Sequence, residues 1–158
     1  MEEQQIFVRM AIKAWDTQIG RADKFFSSVS DESMFKEVAP GKNRIIYLLG
    51  HLIVANDSMI SIFGLGERKY AHLEEAFMTH PDKSDLDMPE ISVLRNDWAK
   101  SNRILSDYFS KLTTGEWMSR HTVMTDEDFA KDPGRNKLSV LLNRTNHVAY
   151  HLGQLVLA

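Results

Sequence analysis

Apolar residues recur every three or four positions over most of the chain, which is the spacing of amphipathic α-helices. The first such pattern covers Glu3 to Val29, and a second runs from Lys42 to Phe63 after a loop that contains proline and glycine. A third helix is predicted to begin at Pro89, because proline suits the first turn of a helix. The last pattern starts near Asn136 and continues almost to the end of the sequence. The chain is therefore predicted to form four long helices.

The connections after the second and third helices are each about twenty residues long, which is longer than most loops in compact domains and often marks the border of a functional site. The first of them is predicted to hold a short helix from Leu73 to Met78. Long connections can cross the end of a bundle and leave neighbouring helices parallel, so the pattern favours an all-α four-helix bundle over a simple up-down meander. We find no internal repeat or linker, and we expect one domain over residues 1–158.

Composition and charge exclude several kinds of function. The chain is 43% hydrophobic and 26% charged, which is ordinary for a globular protein. The net charge is -3 with both signs interspersed, and no basic stripe is present, so we expect no nucleic-acid partner. The sequence has no cysteine, which excludes disulfides, a thiol nucleophile and thiolate metal ligands in the chain itself.

Three features of the sequence bear on where in the cell the protein is expected to be found. The N-terminus, MEEQQIFVRM, begins with acidic residues and is not typical of a signal peptide. We identified no run of about 18 apolar residues, the length that a membrane-spanning helix needs. Because cysteine is also absent, we expect a cytoplasmic protein with no membrane partner.

The last helix is unusual because both of its sides lack charge. Its apolar stripe is predicted to consist of Leu138, Leu141, Leu142, Thr145, Val148, Ala149, Leu152 and Val156. The opposite side would carry His147, His151, Gln154, Asn143 and Tyr150. A surface helix normally fills that side with Lys and Glu, but Arg144 is the only formal charge from Leu138 to Ala158. We therefore expect this helix to be buried on two sides.

The second helix is similarly poor in charge, since Asp57 is the only charged residue between Ile45 and Gly66. Uncharged faces on two helices need to be covered by a pocket, another helix or a second subunit. A two-fold pairing of identical chains is the commonest such arrangement, so we expect a homodimer.

The histidines on these two helices are candidate metal ligands. His147 and His151 lie one turn apart, with Cβ atoms about 5–6 Å from each other, so both imidazoles can reach one ion. The HxxxH spacing alone is weak evidence, and two hydrogen-bonded or surface histidines are the alternative. His51, in YLLGHLIVAND, adds a third imidazole from a second buried helix. Three protein ligands leave one coordination position open, as in catalytic metal sites, although imidazole suits several metals.

Other polar residues are interpreted from their positions on the predicted helices and connections. Tyr47 precedes His51 by one turn and Asn143 precedes His147 by one turn, so both are candidates for lining the site; packed side chains with satisfied polar tips are the alternative. Asn56 falls in the apolar sector of the second helix and is expected to form hydrogen bonds across the core or to support a ligand. The remaining histidines lie in the connections and are interpreted as solvated or locally bonded, namely His72, His80 and His121.

These residues together resemble a known family. His51 in LLGHL, followed by NHVAYHLGQL, is similar to the DinB-like (DinB/YfiT) superfamily of metal-binding four-helix bundles, and the resemblance extends over nearly the whole chain in helix order and loop lengths. It implies an up-down-down-up bundle that often dimerises. It also implies a divalent ion, commonly Zn or Ni, held by His51, His147 and His151. Gln154 would orient a ligand or close the helix face, and Gly153 would permit close helix packing.

The resemblance also implies an activity. Characterised relatives include bacillithiol S-transferases and a mycothiol-dependent maleylpyruvate isomerase, which indicates a metal-dependent thiol S-transferase of detoxification type. Because the chain has no cysteine, the thiol would be an external low-molecular-weight cosubstrate, and a metal would favour its thiolate form.

Two alternatives remain open. One is a metal-dependent hydrolase in which water is the nucleophile. The other is a non-catalytic dimeric metal-binding or stress-response module, which is favoured by the lack of an acidic residue beside the histidines as a general base. The chain also lacks the Glu-x-x-His pair that di-iron carboxylate bundles require.

Overall fold

The computed structural model describes residues 2–158, and the regular structure within that range is helical, with no β-strand. The helices in chain order are α1 (Glu2–Ser28), α2 (Ile45–Ile62), α3 (Ile91–Lys111), α4 (Thr114–Trp117), α5 (Asp126–Lys131) and α6 (Lys137–Leu155). The four long ones, α1, α2, α3 and α6, agree with the four apolar patterns of the sequence. The predicted all-α class is therefore confirmed.

The directions of the helices follow from which residues meet. The residues that join α1 and α3 run in opposite directions along the two helices. Trp15 packs edge-on against Phe109, whereas Phe26, further along α1, packs against Trp98, which comes earlier on α3. The two helices are antiparallel, and both α1 and α2 pack against α3 and α6.

The other two pairings complete the bundle. The C-terminal ends of α2 and α3 meet where Phe63 contacts Phe109, so these two helices are parallel. Between α2 and α6 the order is again reversed, since His51 contacts His147 whereas Ser58, further along α2, contacts Arg144. The result is the up-down-down-up arrangement that the family resemblance implied.

Helix α2 lies at the centre of the bundle. Its side chains are buried almost all the way round, including Leu49, Leu52 and Ile53, which are 0% exposed. By length and composition this helix could cross a membrane, contrary to our expectation that no run in the chain was long and apolar enough. However, 78% of it is buried against the rest of the protein, and the core helix of a globular bundle passes the same test.

Asp57, the one charged residue of α2, is held by hydrogen bonds and an ion pair. The buried Asp57 carboxylate accepts hydrogen bonds from the backbone N–H groups of Lys69 and Tyr70 at 2.9 and 3.0 Å. It also pairs with Arg68 at 3.4 Å. These bonds attach the connection after α2 to the end of that helix, which explains why a carboxylate is tolerated in the core.

The faces of α6 differ from the prediction. Leu142 and Val156 were expected to be core residues but are 44% and 61% exposed, and Tyr150, expected to be covered, is 64% exposed. The buried arc of α6 is formed instead by residues that face α1 and α2, such as Leu141 and Val148. His147 and His151 flank this arc rather than lying opposite it, so within one chain α6 is covered on one broad side only.

The connections contain more helix than the sequence pattern predicted. The short helix predicted from Leu73 to Met78 corresponds to two helical turns, Ala71–Leu73 and Glu75–Thr79. Helices α4 and α5 were not predicted, although each begins with a threonine side chain that accepts a hydrogen bond from a backbone N–H. Both helices are too short to show an apolar period, so the hydrophobic pattern does not reveal them.

Candidate metal centre

Three histidine side chains converge between α2 and α6. Each of His51, His147 and His151 offers a ring nitrogen, and these atoms all lie within 4.8 Å of one another. The Nε2 atom of His147 lies 3.1 Å from Nε2 of His51 and 3.1 Å from Nε2 of His151. The structure therefore brings together the three residues that the sequence and the resemblance singled out.

The neighbours of the rings determine which nitrogens carry protons. His51 Nδ1 lies 3.0 Å from the carbonyl oxygen of Phe77, which can only accept a hydrogen bond, so this nitrogen must be the donor. His151 Nδ1 lies 2.8 Å from Oε1 of Gln154 and is the donor there. In their neutral form both rings therefore present an unprotonated Nε2 towards His147.

The three rings have too few protons to form a hydrogen bond at both of the Nε2–Nε2 contacts of His147. A neutral His147 has one ring proton, and even when that proton is on Nε2 it can serve only one of the two facing lone pairs well. The second Nε2–Nε2 contact then places two lone pairs 3.1 Å apart. A cation at the centre removes the conflict, because all three Nε2 atoms could then donate lone pairs to it.

The spacing also suits a metal ion. Two nitrogens bound at about 2.0–2.1 Å to a tetrahedral zinc ion are about 3.3 Å from each other, close to the observed separations. The carbonyl of Phe77 and the amide of Gln154 hold the outer nitrogens of two rings, as outer partners of histidine ligands usually do. The donor set and the geometry both fit a divalent ion at His51, His147 and His151.

Burial keeps the three rings neutral. It is the main cause that lowers the pKa of each of the three histidines. For His147 the pKa falls to about 4, because the two other rings and the Arg144 guanidinium add their effect to burial. At neutral pH the cluster is therefore in the state that a metal ion requires.

The low pKa of His147 predicts how the metal-free protein responds to acid. Between pH of about 6.5, where an unfolded histidine titrates, and about 4, the unfolded chain binds a proton that the folded chain does not. The free energy of unfolding should therefore fall as pH decreases through this window, and the loss should level off below it. Urea unfolding of metal-free wild type and His147→Ala at several pH values measures the effect. The stability difference between the two proteins should change with pH across the window; parallel curves would contradict the prediction.

Aromatic residues position His51. The ring of Tyr47 stacks on it with a centroid distance of 6.3 Å and an interplanar angle of 12°. The Tyr47 hydroxyl donates a hydrogen bond to the carbonyl of His80 at 2.8 Å, so it is already engaged by the protein. Phe77, whose carbonyl binds His51, lies against Gly50: a Cβ atom at that glycine would be 2.3 Å from the Phe77 ring. The absence of a side chain at Gly50 thus allows the Phe77 segment to approach α2.

Gln154 positions His151 in a similar way. Its Nε2 donates to the Tyr150 hydroxyl at 3.3 Å, which orients the amide so that its oxygen faces the histidine. This contact agrees with the first of the two roles that the resemblance implied, the orientation of a ligand, which stays a prediction. Gly153, in contrast, is exposed, and a Cβ there would meet nothing within 4 Å, so close helix packing does not explain this glycine.

Three other polar residues that the sequence singles out form no hydrogen bond to the histidine cluster in the described part of the chain. Asn143 is exposed and lines a neighbouring cavity, with no hydrogen bond to the cluster among the described residues. His80 forms a local hydrogen bond to the carbonyl of Glu75, as expected for a connection histidine. Asn56 is 0% exposed, and its amide has no hydrogen-bond partner in the described part of the chain, contrary to our expectation.

One residue near the cluster was not among the candidates. The sequence marks Arg144 only as the single charge of α6, whereas in the structure its guanidinium donates to the hydroxyl of Ser58 on α2 at 3.2 Å. Its charge contributes to the lowered pKa of both His51 and His147. The isolated charge in an otherwise neutral helix was the signal that could have identified it.

The fold and the site together define a four-helix bundle with a candidate three-histidine metal centre between two of its helices. The chain belongs to the DinB superfamily, whose family model matches residues 14–155. The match includes all three histidines, and superfamily membership together with the cluster indicates a metal-binding site. A search of the curated proteins gave no match.

Proposed function

We propose that the protein is a metal-dependent enzyme that binds one divalent ion, zinc or nickel, at His51, His147 and His151 and transfers an external low-molecular-weight thiol to an electrophile. The observation that carries the proposal is the convergence of three Nε2 atoms with too few protons to satisfy their contacts. His51 and His147 are only partly buried, which would leave the centre accessible to small molecules.

The chain's own residues favour a thiol over water as nucleophile. A bound divalent ion would hold a thiol as its thiolate near neutral pH. The hydrogen-bond partners of the three rings are a carbonyl, an amide and one another, with no carboxylate among the described residues. Hydrolysis usually relies on such a group as a general base, whereas a thiol of ordinary pKa, about 8.5, needs little help to ionise.

The proposed reaction balances without a redox partner. With an epoxide, a sulfur–carbon bond forms, the carbon–oxygen bond of the ring breaks, and the thiol proton ends on the new hydroxyl. With a chloro-substituted electrophile, the carbon–chlorine bond breaks and chloride and a proton leave. The histidines would orient the nucleophile, while Gln154 and the Phe77 carbonyl keep the rings in place.

Activity is tested with metal-loaded protein and defined thiols. We expect zinc- or nickel-loaded protein to conjugate cysteine, glutathione or bacillithiol with monochlorobimane or an epoxide, and His147→Ala to have no metal-dependent rate. Fluorescence and product mass measure the conjugate, with metal alone as the blank. Full metal occupancy without turnover of any pair would favour the non-catalytic metal-binding or stress-response module.

We also propose that the protein forms a homodimer, which rests on separate observations. Large apolar side chains are exposed on two adjacent helices: Phe7 and Met10 on α1 are 60% and 62% exposed, and Tyr150 on α6 is 64% exposed. Sedimentation should give about 36 kDa, twice the chain's 18.1 kDa. A Phe7→Ser/Met10→Ser variant should shift towards the monomer. A monomeric wild type would contradict this proposal and leave the metal site unaffected.

A further inference from the structure

A cavity lies where the C-terminal end of α2 meets the N-terminal half of α6, and Arg144 is one of its lining residues. Its volume is about 360 Å³, within the range of about 300–1,000 Å³ that is usual for small-molecule sites. Its polar lining residues are His121, Arg135, Ser139, Asn143 and Arg144. None of the described residues that line it is acidic.

Arg144 lacks the counter-ion that a buried arginine usually has. It is partly buried, and burial lowers the pKa of its guanidinium, yet it forms no ion pair with a carboxylate in the part of the chain that the structure describes. Its Nη2 donates to Ser58, while its Nε is buried without any hydrogen-bond partner there. A desolvated guanidinium with unused donors is costly unless an anion binds it.

The other two basic residues of the cavity also form no ion pair with a carboxylate among the described residues. Arg135 is exposed and forms no ion pair among residues 2–158. The Nδ1 of His121 is buried without a hydrogen-bond partner in the same range. Burial lowers the pKa of His121, and the nearby positive charges of Arg135, Arg120 and Lys137 lower it further, although Arg120 is itself paired with Asp126.

Arg144 connects this cavity with the metal centre. It precedes His147 by three residues on α6, so the two side chains lie on adjacent turns of one side of the helix. The Ser58 hydroxyl holds the guanidinium against α2, the helix that carries His51. A ligand whose anionic group contacts Arg144 can therefore extend towards the three histidines.

We propose that this cavity binds the carboxylate of a small-molecule substrate, with Arg144 as the main contact and Arg135 as a second cation. A planar carboxylate matches the fork of a guanidinium, and Ser139 and Asn143 supply further hydrogen-bonding groups. That the same molecule reaches the metal centre rests on the proposed function; the binding of a carboxylate by the cavity does not.

The test begins with metal-free protein, so that it is independent of the thiol chemistry. Titration calorimetry compares 3-phenylpropionate with 3-phenylpropanamide, which has nearly the same shape without the charge. We expect the carboxylate to bind, and the amide and the Arg144→Gln variant each to weaken binding by about 10- to 100-fold. Arg135→Gln, at an exposed position that should not affect folding, should weaken it by a smaller factor.

The matched control is Arg103→Gln, which removes the same charge from an exposed position on α3, a helix that packs against α1 and α2. This variant should bind the carboxylate as wild type does. Equal affinities for carboxylate and amide, no binding of the carboxylate, or unchanged binding in both Arg144→Gln and Arg135→Gln would overturn the proposal.

A second pair of ligands shows whether the thiol or the electrophile contains the carboxylate. Zinc-loaded protein is titrated with 3-mercaptopropionate and 3-mercaptopropionamide. If Arg144→Gln weakens only the mercaptopropionate, the carboxylate belongs to the thiol. If it weakens neither thiol but still weakens 3-phenylpropionate, the carboxylate belongs to the electrophile. If metal-loaded wild-type protein transfers no thiol but still binds the carboxylate, the proposed function is refuted and this inference stands.

Discussion

Replacing His147 with alanine is expected to abolish metal binding. Protein purified without a histidine tag should contain about one divalent ion per chain, whereas the His147→Ala variant should contain almost none. The reason is geometric: His147 is the ring that lies 3.1 Å from both of the other Nε2 atoms. Without it, His51 and His151 leave a site with only two protein ligands. Elemental analysis of the two proteins, purified side by side, measures the difference.

Removing the hydrogen-bond partner of a ligand ring should weaken metal binding less than removing the ring itself. Gln154→Ala removes the acceptor of His151 Nδ1 and should lower metal affinity by about 10- to 100-fold without eliminating binding. Asn146→Ala changes an exposed residue of α6 beside His147 and should retain full affinity. Full metal occupancy in His147→Ala would refute the three-histidine centre.

Much of the fold followed from periodic apolar positions. The period predicted α1, α2, α3 and α6 because each is long enough to bury one face, and the family resemblance implied their directions. Helices α4 and α5 are held by caps rather than by an apolar face, so a pattern of period 3.6 does not reveal them. Within one chain the side of α6 that carries Tyr150 is exposed, so its predicted burial depends on the proposed homodimer.

The candidate site was predictable to a smaller extent. Three imidazoles on two helices could be inferred from spacing and resemblance, since helix geometry places His147 and His151 one turn apart. The carbonyl of Phe77 could not be inferred, because every residue has a carbonyl and only the tertiary fold brings this one to His51. Arg144 shows the same limit: its isolation was visible, but its contact with Ser58 depends on how α2 and α6 are aligned.

A single methyl group at Gly50 is expected to disturb both the fold and the metal centre. In Gly50→Ala the new Cβ would lie 2.3 Å from the ring of Phe77, a side chain that is 0% exposed. The turn that holds Phe77 must move away from α2, which should lower the free energy of unfolding by about 3 kcal/mol or more. Because the Phe77 carbonyl holds His51, metal affinity should fall as well. Urea unfolding of metal-free protein and a competition assay with a zinc-binding dye measure the two effects.

The same substitution at two other helical glycines separates this clash from the general effect of alanine. A Cβ at Gly20 or at Gly153 would meet nothing within 4 Å. Because alanine favours helix over glycine by about 1 kcal/mol, Gly20→Ala and Gly153→Ala should be as stable as wild type or more stable, with unchanged metal affinity. If Gly50→Ala behaves like these two, the close contact with Phe77 is not what fixes His51.

A double-mutant cycle attributes the effect to the Phe77 ring. Phe77→Ala alone should destabilise the protein by about 3–5 kcal/mol, because it leaves a cavity in the core. In Gly50→Ala/Phe77→Ala the new methyl group enters space that the ring vacated, so the combined loss should be smaller than the sum of the two single losses. Additive losses would mean that the two residues act independently. A sub-additive result would show that the glycine before His51 is required because it allows the Phe77 segment to approach α2.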